Sequence, residues 1–193
     1  AYDVGWIRQQ YIPTEHEFME MLRKKTGWYT GRGPCTAGAI IAGAQKIDQE
    51  TIGNFGEAMA IAFQIRDDLL NLQTPEKDAS VAPGITSGAY GKERGGDIAE
   101  GKRTLIIIDL LRKCSSEEKH DVLNILHKSR QENTVEEIER VISLVENYGC
   151  SEYAEKVCLE KAKVSRDFLL KLPKSSARNA LAEMLEFLVE RAF

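Results

Sequence analysis

No stretch of this sequence approaches the ~20 consecutive apolar residues that a membrane-spanning helix needs. The aliphatic run Leu105 to Ile108 is far too short, so neither a membrane span nor a signal peptide is expected in these residues. Cysteine is sparse and scattered: Cys35, Cys114, Cys150 and Cys158 form no Cys-x-x-Cys pair. That argues against a zinc site and leaves the thiols as small hydrophobes in a reducing, cytoplasmic compartment. His16, His120 and His127 have no metal-ligand spacing relative to the cysteines, and His120 and His127, seven apart, read as a solvated helix face. Positive charge is not in excess: the net charge of -4 speaks against a nucleic-acid binder. Strand-like alternation, internal repeats and low-complexity linkers are missing too. What remains is a chain of 193 residues, a size that fits one domain with a sizeable core.

Helix signals fill the chain, so it is read as all-α, with about seven to nine helices. It starts abruptly at Ala1 to Trp6, without an obvious helix start and as if something precedes it. Thr14 and Glu17 form a capping box. The helix they open carries Phe18, Met21 and Leu22 and ends in Lys24-Lys25-Thr26-Gly27. Gly31, Gly33 and Pro34 then predict a break or kink, with Pro34 in the first turn of a new helix. That helix is rich in small residues: Ala37, Gly38, Ala39, Ala42, Gly43 and Ala44. They fit either tight helix–helix packing or a helix wall beside a cavity. Asp48 or Thr51 can cap the next helix, which runs to about Gln73 before Pro75. Further capping boxes stand at Ser115/Glu118 and Thr134/Glu137, with Gly149 just past a helix end. A helix from about Ser151 to Lys171 and a last one from Ser175 complete the chain.

Two stretches carry chemistry. In Phe63-Gln64-Ile65-Arg66-Asp67-Asp68-Leu69-Leu70-Asn71, the polar residues Gln64, Asp67, Asp68 and Asn71 stand at i, i+3, i+4, i+7 and share one face of an otherwise apolar helix. Two adjacent carboxylates there call for a metal ion, a basic partner or solvent at a cavity wall. Downstream, Gly84, Gly88, Gly91, Gly95, Gly96 and Gly101 are interleaved with Lys92, Arg94, Lys102 and Arg103. Such a segment can be a plain surface loop, or it can present backbone N–H and ammonium groups to phosphate; the basic residues favour the second. Magnesium suits a carboxylate pair joined by substrate phosphates, and lysines suit phosphate.

Phe63-Gln64-x-x-Asp67-Asp68-x-Leu70 resembles the second aspartate-rich motif of the trans-polyprenyl diphosphate synthases, the farnesyl and geranylgeranyl diphosphate synthase family. Lys25-Thr26-Gly27 resembles that family's Lys-Thr motif. Gly91-Lys92 and Gly96-Asp97-Ile98-x-Glu100-Gly101-Lys102-Arg103-Thr104 resemble its Gly-Lys and Gly-Asp-x-x-Glu-Gly-Lys-x-Thr segment. The motifs occur in the family's order. The resemblance implies an isoprenoid-synthase-type helical bundle around a central cavity. Residues 1–193 would form the C-terminal part of a polyprenyl synthetase domain. It implies a magnesium-dependent prenyltransferase that condenses isopentenyl diphosphate with an allylic diphosphate to a short-chain polyprenyl diphosphate. Asp67 would bind magnesium directly, with Asp68 and Asp97 helping through water. Lys25, Lys92 and Lys102 would hold the allylic diphosphate, Thr26 and Gln64 would face the carbocation with their oxygens, and Phe63 would lie near isopentenyl diphosphate.

Two departures stand out. Asn71 occupies the place of a further family Asp, where it would be a neutral oxygen ligand at best. The first aspartate-rich motif would lie N-terminal to Ala1, so the N-terminal helices of the bundle are expected to be missing from this chain, which alone would be incomplete for activity. A non-catalytic or partial subunit of a heteromeric synthase is therefore the second reading, and a terpene cyclase-like lyase the third. A homodimer or heteromer follows from the resemblance alone. Product length is not encoded in the residues present.

Overall fold

The computed structural model describes residues 2–73 and 94–190. Among them it holds helices and no strand: α1 Tyr2–Arg8, α2 Glu15–Leu22, α3 Gly33–Ile41, α4 Lys46–Leu70, α5 Gly96–Ala99, α6 Leu105–Lys113, α7 Ser116–His127, α8 Val135–Asn147, α9 Cys150–Leu169 and α10 Ser176–Glu190. A π-helical stretch, Arg23–Arg32, joins α2 to α3, and a 3-10 turn, Arg130–Glu132, precedes α8. The all-α expectation holds. These residues form two compact units: one from the described parts of 1–18 and 67–154, the other from 19–66 and the described part beyond 155.

In the first unit, amphipathic stripes and caps place the helices. Leu105, Ile106, Ile107, Ile108, Leu110 and Leu111 of α6 are all buried. On α8 the buried set is Ile138, Val141, Ile142 and Val145, one face at helical spacing. Burial of each such side chain is worth about 1.5–3 kcal/mol. Both expected capping boxes form: Ser115 with Glu118 opens α7, and Thr134 with Glu137 opens α8. Gly149 follows α8 at φ +62, the left-handed C′ position expected of it. The capping box of Thr14 and Glu17 forms as well, with Thr14 N–H donating to Glu17 at 2.8 Å. Residues 2–8 are helical although the sequence shows no obvious helix start there.

The second unit is held by backbone proximity. A Cβ on Gly31 would lie 2.0 Å from the Gly56 carbonyl oxygen, and one on Gly56 would lie 2.6 Å from the Gly31 carbonyl oxygen. The π-helical stretch and α4 therefore touch main chain to main chain, which only glycine permits. One expectation needs correction here. No break falls at residues 31–34; helical backbone runs on through a π register, in which Gly33 N–H bonds to Trp28 carbonyl, five residues back. Pro34, which has no N–H to give to the preceding turn, falls where the π register passes into α3. Of the two readings left open for the small residues of the next helix, tight packing is not seen at Ala37 to Ala39: none of α3 is buried, and α3 meets α4 through Cys35 and Thr36, against Gly56 and Gly53.

Helices α4 and α9 lie antiparallel in this unit, in a register fixed by side chains on backbone. Ser165 Oγ donates to the Phe55 carbonyl at 2.9 Å, and Cys158 Sγ to the Ala62 carbonyl at 3.3 Å. Donors and acceptors are both seven residues apart, two helical turns. An ion pair of Arg66 with Glu155 at 3.5 Å continues the same seam. Together they fix the rotation of α4 within this unit.

Candidate functional site

The polar stripe of α4 lies as its spacing predicts. Gln64 and Asp67 are partly exposed, while Asp68 and Asn71 are buried. Helical bonding carries through to Asn71, whose N–H donates to the Asp67 carbonyl at 3.1 Å. Beyond the helix end the chain is laced to the start of α5. Gly95 N–H donates to the Asn71 carbonyl at 2.8 Å, Asp97 N–H to Asn71 Oδ1 at 3.0 Å, and Arg94 Nε to the Leu72 carbonyl at 2.9 Å. Arg94 also pairs with Glu139 of α8. Gly95 adopts φ +71, and a Cβ there would meet Ile138 Cγ2 at 2.4 Å, so the turn requires glycine.

Asp97 and Lys102 come together as an ion pair at 2.6 Å, and Lys102 also reaches Glu100 at 3.1 Å. Partial burial draws the Lys102 ammonium down, but its two carboxylate partners outweigh that and leave it above its ordinary value. The ammonium is half exposed. Glu100 in turn pairs with Arg130 at 2.7 Å.

The next residues divide the labour. Gly101 takes φ +66, and a Cβ there would stand 2.5 Å from the Leu126 carbonyl oxygen. Arg103 turns inward, only 4% exposed, and its guanidinium donates to the Gly101 carbonyl and, at 3.5 Å, to the Leu126 carbonyl in the last turn of α7. A cation at a helix C-terminus is favoured there. Burial nevertheless pushes the guanidinium below its ordinary value. Thr104 caps α6, accepting from Ile107 N–H at 3.4 Å. Lys102 is the one exposed side chain of the four. His127 is not part of a solvated face, which corrects that expectation: its Nε2 is buried, and burial together with the nearby Arg103 holds its pKa below the ordinary value.

In the second unit, Lys25 and Thr26 occupy the π-helical stretch. Lys25 is exposed and Thr26 is buried. A Cβ on the adjoining Gly27 would meet Glu57 Cγ at 3.1 Å, and Glu57 pairs with Arg32 at 3.5 Å and Arg23 at 4.0 Å. Phe63 and Gln64 belong to the same unit, both partly exposed on α4. Lys92 and Gly91 lie outside the described residues.

One cluster escaped the sequence. Asp109, buried within the aliphatic α6, pairs with Arg112 at 2.6 Å and Lys113 at 2.7 Å. Burial pushes its carboxyl up, but hydrogen bonds from Lys113, Arg112 and the Cys150 thiol outweigh burial and hold it below the ordinary carboxylate value. The Cys150 thiol is pushed up to about 12 by burial and by Asp109. Tyr153, which donates to Glu15 at 2.7 Å, lies under the Arg112 and Lys113 cations. The signal was present: a lone carboxylate inside Leu105–Leu111 has the character that singles out Asp67 and Asp68. The cluster pairs its charges among its own members and ties α2, α6 and α9 within the first unit.

Among the described residues, no group of three or more His, Cys, Asp or Glu side chains could by itself hold a metal ion. Magnesium does not require one, because it is commonly bound by one or two carboxylates together with substrate phosphates and water.

The family model described as Polyprenyl synthetase matches residues 1–145. A short chain isoprenyl diphosphate synthase of Methanothermobacter thermautotrophicus is 33% identical over 191 residues, which is 99% of this chain and 54% of the relative. Among solved structures, a geranylgeranyl pyrophosphate synthetase from Pyrococcus horikoshii superposes with a TM-score of 0.81 at 30% identity, over 98% of this chain and 53% of that one. A geranylgeranyl pyrophosphate synthase from Corynebacterium glutamicum, complexed with isoprenyl diphosphate and magnesium, gives a TM-score of 0.80 at 27% identity, over 98% of this chain and 50% of that one. The chain spans about half the length of the curated relatives it matches.

Proposed function

The chain belongs to the polyprenyl synthetase family, and from that premise we propose that residues 1–193 form the C-terminal part of a prenyltransferase domain. Its protein would condense isopentenyl diphosphate with an allylic diphosphate to a short-chain polyprenyl diphosphate. The observation that carries this reading is the Asp97–Lys102 pair at 2.6 Å, tied through Asn71 to the end of the helix that bears Asp67 and Asp68. Carboxylate and ammonium neutralise each other without ligand. A diphosphate with its counter-ion offers both a better partner: phosphate oxygen for Lys102, cation for Asp97.

The donor set, carboxylate oxygen on a helix end, fits magnesium. Bound there, magnesium would neutralise charge on the departing diphosphate. Asp67, the more exposed of the pair, would ligate directly, with Asp68 and Asp97 engaging through water. Lys25, Lys92 and Lys102 would hold the allylic diphosphate. Thr26 and Gln64 would turn oxygens toward the developing allylic cation, an electrostatic stabilisation fixed before reaction, while Phe63 would border isopentenyl diphosphate. The solved relative from Corynebacterium glutamicum, with isoprenyl diphosphate and magnesium bound, supports both ligand assignments. Four free cysteines support a reducing, cytoplasmic setting.

A second reading makes this chain a non-catalytic or partial subunit of a heteromeric synthase. It is favoured by the uncovered apolar side chains of the second unit, where Tyr29 and Ile41 are 85% and 87% exposed. A homodimer interface would cover such a surface equally well. The test is to incubate the full-length gene product with magnesium, labelled isopentenyl diphosphate and an allylic diphosphate. Elongated product is expected from the protein alone. Elongation only after a second chain is added would select the subunit reading, and none under either condition would overturn prenyl transfer.

A further inference from the structure

Asn71 stands where the family pattern has a further carboxylate. We infer that Asn71 is a positioning residue that fixes the main chain of Asp97, and through it the Asp97–Lys102 pair, against the acidic end of α4, rather than a ligand of the metal. The significance of that pair rests on the prenyl-transfer reading above; the placement of Asn71 does not.

Asn71 is buried, 7% exposed, which leaves its amide little access to an ion in solvent. Its Oδ1 is already used, accepting Asp97 N–H at 3.0 Å. That bond also fixes the amide orientation, since the flipped amide would set N–H against N–H. Its main-chain carbonyl accepts Gly95 N–H at 2.8 Å. Gly96 packs over the amide, where an added Cβ would lie 3.7 Å from Nδ2. Side chain and main chain of one residue thus grip both sides of the turn that opens α5. At the other end of α5, Asn133 Nδ2 donates to the Ala99 carbonyl at 3.2 Å. The short helix is held by an amide side chain at each end.

The choice of amide over carboxylate has a physical reason. Asp67, Asp68 and Asp97 already concentrate negative charge in this unit, and a buried fourth carboxylate would add repulsion and desolvation. An amide oxygen accepts the same N–H without charge. Asn71 therefore gives the turn its geometry and leaves the charge balance to the aspartates and Lys102.

The test uses the full-length gene product. Amide hydrogen exchange is measured without ligand, and Michaelis constants for the two diphosphates are measured with magnesium. In Asn71→Leu the Asp97 amide should exchange about tenfold faster, the worth of one hydrogen bond, while the Gly95 amide, bonded to the main chain, changes by less than about threefold. KM for the allylic diphosphate should rise about tenfold, with KM for isopentenyl diphosphate within about twofold. Asn71→Asp, which keeps the acceptor, should restore Asp97 protection. Should the leucine variant fail to fold, Asn71→Ser, too short to reach the amide, replaces it with the same expectations. Wild-type protection of Asp97 in these variants, equal acceleration at Gly95 and Asp97, a parallel rise of both Michaelis constants, or an Asn71→Asp protein that behaves like the leucine variant would each overturn the proposal. If the wild type elongates nothing, prenyl transfer falls and the exchange data alone decide the role of Asn71.

Discussion

The two units of this chain solve the helix-packing problem in opposite ways. The second brings helices together by removing side chains: Gly31 and Gly56 let two backbones touch, and Ser165 and Cys158 bond to carbonyls of a facing helix. The first keeps bulky aliphatic stripes and adds buried polar groups, Asp109, Arg103 and Asn71, paired with Arg112 and Lys113, with the Gly101 and Leu126 carbonyls, and with Asp97 N–H. The difference teaches where tolerance lies. Close backbone contact fails at the addition of a methyl group, whereas a polar network fails by charge and so responds to pH.

The contrast is broken most severely at Gly31. Gly31→Val should destabilise by about 3–5 kcal/mol or prevent folding, because no rotamer moves a Cβ off a backbone oxygen; chemical denaturation reads it, and a loss below about 1 kcal/mol would show that the two helices can part. Next comes Asp109→Asn, expected to cost about 1.5–3 kcal/mol near neutral pH as charged hydrogen bonds become neutral ones. The sign with pH follows from the lowered folded-state pKa. Asp109 contributes fully above the ordinary carboxylate value, and the contribution disappears as pH falls through the lowered value. The stability gap between wild type and variant should thus close in acid; a gap that persists there would mean the carboxylate acts through packing. Smallest is Ser165→Ala, at about 1 kcal/mol. It sharpens the comparison because the Phe55 carbonyl keeps its own helix, so the loss should not change with pH.

Features set by near neighbours were legible in the sequence. The capping boxes at Thr14, Ser115 and Thr134 need only a residue and its partner three positions on. The stripe of Gln64, Asp67, Asp68 and Asn71 needs only helical spacing. What could not be read depends on distant partners. Gly31 and Pro34 look like punctuation until Gly56, twenty-five positions on, shows the glycine to be a contact. Asn71 looks like a weakened metal ligand until Asp97 N–H, twenty-six positions on, is seen to occupy its oxygen. Arg103 reads as one more phosphate-binding cation, yet it lies buried against the end of α7, and only Lys102 beside it stays available at the surface.

The central claim is that the acidic end of α4 engages a diphosphate through magnesium. The most direct measurement is titration calorimetry of a non-ionising allylic diphosphate analogue into the full-length gene product, with and without magnesium, for wild type and Asp67→Ala. The account predicts that magnesium tightens binding by about tenfold or more in the wild type, and that Asp67→Ala abolishes most of that gain while leaving the magnesium-free affinity within about twofold. A variant whose affinity responds to magnesium as the wild type does would contradict it.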